Sequence, residues 1–177
     1  SMNWGEPNKS IASRRLAAAL SYISLSNYDR VSIICMNDKA ENVKLAMRGK
    51  NSFGEVLDFL EKAEYSGTTD LYSAIRDSNM KSTRGISIII SDLFSSGLLS
   101  DVIKYLQFRK QELYICHVLA PQEIEPELES SLRLLDIETG EFRDVTTSPL
   151  LLKTYKKVYS SFIANTEETC FKNGVNY

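Results

Sequence analysis

The chain has 177 residues, of which 43% are hydrophobic and 25% charged, with a formal net charge of -2. That is apolar material for the core of one domain spanning residues 1–177, and the near-neutral balance removes any electrostatic case for nucleic acid or an anionic membrane as partner. One histidine and three cysteines without CxxC spacing argue against a zinc centre.

In chain order, a turn-like start through Pro7 and Asn8 leads into a helical pattern from about Lys9, with Ile11, Leu16, Ala19, Leu20 and Ile23 as its expected apolar face. Ala17, Ala18 and Ala19 leave that helix slim enough to lie close to a sheet. Val31 to Met36 is a short β-branched run, read as a buried strand, and Val43 to Met47 alternates as a second. Ser52 is placed to cap a helix carrying Val56, Leu57, Phe59 and Leu60. The loop Gly67-Thr68-Thr69-Asp70 leads into a helix with Leu71, Ala74 and Ile75. Gly85 to Asp92 contains the clearest central strand, and its apolar run Ile86 to Ile90, broken by Ser87, is far too short to cross a bilayer.

A helix follows with Leu99, Val102, Ile103 and Leu106, then a strand from Leu113 to Leu119 closed by Ala120-Pro121. Leu132 to Asp136 and Phe142 to Val145 read as a hairpin across Glu138-Thr139-Gly140. Ser148-Pro149 starts a last helix that runs to about Lys172, with Gly174 beyond its end. Strands alternating with helices give an α/β fold on a mostly parallel, Rossmann-like sheet.

Ligands of such a sheet bind beyond the carboxyl ends of its strands. Asp92 follows the most hydrophobic strand, and Thr68, Thr69 and Asp70 lie in a loop that offers hydroxyls. A carboxylate with hydroxyls is hard-oxygen chemistry suited to Mg²⁺ or Mn²⁺. Each residue also has a plain structural reading: Thr69 or Asp70 as a helix cap, Asp92 as a turn residue after a strand. His117 reads as a satisfied strand histidine, Cys35 and Cys116 as reduced, buried thiols, and Glu123 and Glu125 as a solvated loop. Trp4 reads as packed over the sheet, and Tyr155, Tyr159 and Phe162 as core contacts of the last helix. No signal peptide is visible, which points to the cytoplasm.

Several segments occur in a telling order: Arg15 to Leu20, Asp29-Arg30-Val31, Gly67 to Leu71, Ile90-Ser91-Asp92, Leu119 to Glu123, and Asp136 to Glu141. Together they resemble the domain of unknown function 58 family, a bacterial family whose members are similar to von Willebrand factor A domains and are associated with MoxR-type AAA+ ATPases. The resemblance implies a three-layer α/β sandwich with a metal-ion-dependent adhesion site. By loop position its threonine falls at Thr69, with Thr68 as rival, and its strand-end aspartate at Asp92. Ser1 falls near the last serine of the family's first metal loop. The same resemblance implies a chain that starts just inside the domain, without the first strand and the leading aspartate of that loop. Expected consequences are weak metal binding and unpaired strand edges, closed by the chain's own tail or by a homodimer. The implied role is protein binding rather than catalysis, with a MoxR-type ATPase as partner and a parent protein that the family allows to be membrane-anchored. The competing class is a Mg-dependent phosphotransferase or hydrolase using Asp92, although GxGxxG, P-loop and GxSxG motifs are all missing.

Overall fold

The structure, a computed structural model, describes residues 2–36, 43–63, 70–78, 83–95, 97–126, 131–135, 142–146 and 148–177. Helix α1 (Lys9–Ser26) begins where Asn8, in extended backbone, accepts the N–H of Ser10 on its side-chain oxygen. That satisfies one of the N–H groups the first turn leaves without a partner. The face α1 buries differs from the expected one. Ser10, Ser13, Ser21 and Leu25 are buried, whereas Ile11 and Ile23 are about half exposed. Ser10, Ser13, Ala17 and Ser21 recur at helical spacing, so the inward stripe is made of small side chains. A periodicity read from the large apolar residues therefore selects the wrong face.

Strands β1 (Arg30–Ile34) and β2 (Val43–Arg48) pair antiparallel, Arg30 opposite Arg48 and Ile34 opposite Val43, with an irregular register between Val31 and Ile33. After a 3-10 turn (Lys50–Ser52), helix α2 (Phe53–Glu61) buries Val56 and Leu60 against Leu25 and Met47. Ser52 does not cap α2. Its own backbone is already helical, and its hydroxyl donates back to the carbonyl of Arg48 at 3.1 Å.

A second apolar cluster forms around α3 (Leu71–Asp77), β3 (Gly85–Ser91), α4 (Leu99–Phe108) and β4 (Gln111–His117). β3 and β4 are parallel, in register from Gly85 opposite Gln111 to Ser91 opposite His117. Ile89, Leu113 and Ile115 pack with Val102, Ile103 and Leu106 of α4. A short helix α5 (Pro121–Ile124) follows Ala120, where the sequence suggests only a loop. β5 (Ser131–Leu135) and β6 (Phe142–Thr146) form the expected antiparallel hairpin.

Helix α6 (Pro149–Lys172) opens with Ser148 accepting the N–H of Leu151, and Gly174 lies just past its end at a φ of 64°. Of its aromatic residues, Phe162 packs against the core, while Tyr155 is 37% exposed and stacks on Tyr159 instead. The tail then reaches β4, where the N–H of Asn176 donates to the carbonyl of Leu113 and its carbonyl accepts from Ile115 N–H.

The described residues are thus mixed α/β, with six α-helices and strands that pair two by two. The expected single, mostly parallel sheet is represented by the β3–β4 pair alone; the other two pairs are antiparallel. β1 and β3 instead line a cleft between their two sheets. Among the described residues, no helix is long and apolar enough to cross a membrane.

Candidate functional site

The apolar run of β3 carries the chain to Asp92, which ends at the carboxyl edge of the β3–β4 pair and is 2% exposed. The next residue, Leu93, has a φ of 57° and gives its N–H to Ser91 Oγ at 3.0 Å. A left-handed leucine costs about 1–2 kcal/mol, and burial of its side chain in the core offsets this.

Both oxygens of Asp92 are engaged. Oδ1 accepts the N–H of Phe94 at 3.3 Å, and Oδ2 accepts from the Lys9 ammonium at 3.0 Å. Lys9 Nζ also donates to Glu123 Oε1 at 2.6 Å. Glu123 in turn accepts Ala120 N–H on Oε2 at 2.7 Å, which ties α5 to the same point. Lys9 is 1% exposed, so one ammonium sits between two carboxylates away from solvent. The Phe94 ring lies 5.9 Å from Nζ and stacks on Phe162 at 5.0 Å between centroids.

His117 closes the other side. Its Nε2 lies 3.0 Å from the Asp92 carbonyl and its Nδ1 2.6 Å from the Tyr177 hydroxyl. A carbonyl only accepts, so Nε2 carries the proton and Nδ1 accepts from Tyr177. Burial holds this imidazole below its ordinary value of 6.5, against smaller opposing effects from the Asp92 carbonyl, Asp92 and Glu123. A strand histidine with both nitrogens satisfied is what the sequence suggests.

Asp70 turns out to be a cap. Its Oδ1 accepts the N–H groups of Tyr72 and Ser73, and its Oδ2 accepts the Ser73 hydroxyl at 2.8 Å. The hydroxyl bond leads the interactions that hold this carboxyl below its ordinary value. Thr68, Thr69 and Ser1 lie outside the described residues. Trp4 is 38% exposed rather than packed away, and Cys35 and Cys116 are half-buried, with Cys170 fully buried.

A divalent cation at Asp92 needs about six oxygen ligands. The described residues do not fit one: Oδ1 already takes an amide, and an ammonium stands at Oδ2. Among the described residues, no three His, Cys, Asp or Glu side chains group to hold a metal.

Lys9 and Glu123 do not stand out in the sequence, because one looks like the start of a helix and the other like solvated loop. One signal points to Lys9. It is the first residue of α1, where the helix dipole disfavours a cation, so a lysine there needs a compensating anion.

Among family models, one described as "Protein of unknown function DUF58" matches residues 2–162. No curated protein and no solved structure matches the chain.

Proposed function

Given that the chain belongs to the family described as Protein of unknown function DUF58, we propose that it is a protein–protein interaction domain of the von Willebrand factor A type rather than an enzyme. The partner in this reading is a MoxR-type AAA+ ATPase, an assignment that rests on the family resemblance. The three-layer form of the fold draws support from the parallel β3–β4 pair. α4 packs on one face of that pair, and α1 lies across a cleft from Ile86, Ile88 and Ile90 on the other.

The observation that carries the reading is the burial of Asp92 against Lys9. A Mg-dependent phosphotransferase or hydrolase needs a carboxylate that reaches a metal or the reacting atoms. Here the one carboxylate at the head of the central strand is turned to structural use. The adhesion-site form, with Mg²⁺ or Mn²⁺ held by Asp92, Thr69 or Thr68, and Ser1, requires Lys9 to leave first. We therefore read the interaction as metal-independent, with the lysine supplying the positive charge.

The test is to titrate the labelled chain with a purified MoxR-type ATPase, first in EDTA and then in excess Mg²⁺. Saturable binding in EDTA supports the reading. Absence of binding in both conditions contradicts it, as does phosphoester hydrolysis by the chain that disappears in Asp92→Asn.

A further inference from the structure

Helix α6 is anchored by its second half. Phe162 and Cys170 pack it into the cluster that α4 shares with the β3–β4 pair, across that pair from the cleft α1 lines. The first half stands clear of the core: Leu150 is 73% exposed, Val158 64%, Leu151 38% and Tyr155 37%. Leu151, Tyr155 and Val158 recur at i, i+4 and i+7 with Leu150 beside them, so the four make one stripe along a flank of the helix. Tyr155 is fixed at its border, where the hydroxyl donates to the carbonyl of Glu123 at 2.6 Å.

Charge on α6 is segregated along its length. Residues 149–166 hold Lys153, Lys156 and Lys157 and no acidic side chain. Acidic residues enter only at Glu167 and Glu168, and Glu168 pairs with Lys172 at 2.8 Å. Among the described residues, none of the three lysines of the first half is in an ion pair. Lys153 and Lys157 follow Leu150 by three and seven positions, so they border the stripe. Single exposed leucines are ordinary on a protein surface, but a contiguous aliphatic stripe edged by uncompensated cations is the pattern of a contact surface.

We propose that the first half of α6 docks an acidic amphipathic helix of a partner protein. Its apolar face covers Leu150, Leu151, Tyr155 and Val158, and its carboxylates meet Lys153, Lys156 and Lys157. The inference rests on the interaction-domain reading and names a surface for it. An α-helix uses its backbone groups on its own turns, so α6 offers a partner side chains alone, and another helix meets those ridge into groove. Leu150 to Val158 spans about 12 Å at roughly 1.5 Å per residue, enough for one crossing helix. The lysines select the sign of the partner. A second copy of α6 would set lysine against lysine. A bilayer fits less well, because the core holds the second half and the free apolar face ends after about two turns.

The experiment uses the full chain and a panel of labelled, stapled helical peptides, followed by fluorescence anisotropy. Each peptide carries leucines at i, i+4 and i+7, flanked in one set by glutamates and in the other by lysines. Saturable binding of the glutamate set is expected, with the lysine set weaker by at least roughly tenfold, about 1.4 kcal/mol. Val158→Asp, checked for native circular dichroism, is expected to weaken binding similarly. The triple variant Lys153→Glu, Lys156→Glu and Lys157→Glu should reverse the preference, which a merely structural role of these lysines would not do. Absence of saturable binding by either set overturns the proposal, as does equal binding of both or an unreversed preference. Cosedimentation with phosphatidylserine vesicles that Val158→Asp abolishes would assign the stripe to a membrane instead. Self-association that Val158→Asp abolishes, seen by light scattering, would assign it to a second copy. Either result overturns the acidic-helix proposal, and the ATPase titration remains the separate test of the interaction domain.

Discussion

Lys9 Nζ lies 3.0 Å from Asp92 Oδ2, and the two side chains are only 1% and 3% exposed. Their positions are 83 residues apart in sequence, so the contact pins the start of α1 to the carboxyl end of β3. Glu123 completes the cluster from α5. In the metal-independent reading proposed above, the Lys9 ammonium takes the place that the adhesion-site resemblance assigns to a metal.

Removal of the ammonium should therefore destabilise strongly. Lys9→Met leaves Asp92 buried beside Glu123 with no counter-charge, and breaking such a pair costs about 3–5 kcal/mol. Chemical denaturation should show a loss of that order. The double variant Lys9→Met with Asp92→Leu should lose less than the two single changes added together, because the orphaned charge is gone.

His117 gives the stability a pH dependence of definite sign. Burial is the largest influence and holds the folded imidazole below 6.5, so as pH falls the unfolded chain takes up the proton first. The stability tied to the neutral ring is whole above 6.5 and is lost as pH falls through that value toward the lower folded one. Denaturation midpoints measured from neutral to mildly acidic pH should fall. His117→Gln should flatten that slope, and an unchanged slope would contradict the assignment.

Two glycines should respond oppositely to alanine. Gly5 has a φ of 94°, and a Cβ there would collide with Ala120 Cβ. The same turn is held by Glu6 N–H on Gln122 Oε1 at 3.2 Å. Gly5→Ala should destabilise by about 1–3 kcal/mol. Gly54 sits in α2, and a methyl group added there would meet nothing within 4 Å, so Gly54→Ala should stabilise by roughly half a kcal/mol. Thermal melts of the two variants check both directions.

Local chemistry made much of the fold legible. Ser148-Pro149 and Gly174 bracket α6 as their backbone preferences require, and the β-branched run of β3 could hardly be anything but a strand. α1 misled because three of its five buried residues are the serines Ser10, Ser13 and Ser21, to which hydrophobic periodicity is blind. At the candidate site, Asp92 was legible from its place at the carboxyl end of the most apolar strand. Its partners were not, because Lys9 and Glu123 are joined to it by tertiary contacts that no local spacing encodes. The unpaired edge of β3 was expected through the family resemblance alone, since a strand reads the same in sequence whether one edge or both are paired.

Calorimetric titration of Mg²⁺ and Mn²⁺ into the intact chain asks directly whether the cation at Asp92 is the ammonium of Lys9. If it is, millimolar ion should produce no saturable heat. Saturable binding that disappears in Asp92→Asn would contradict that assignment.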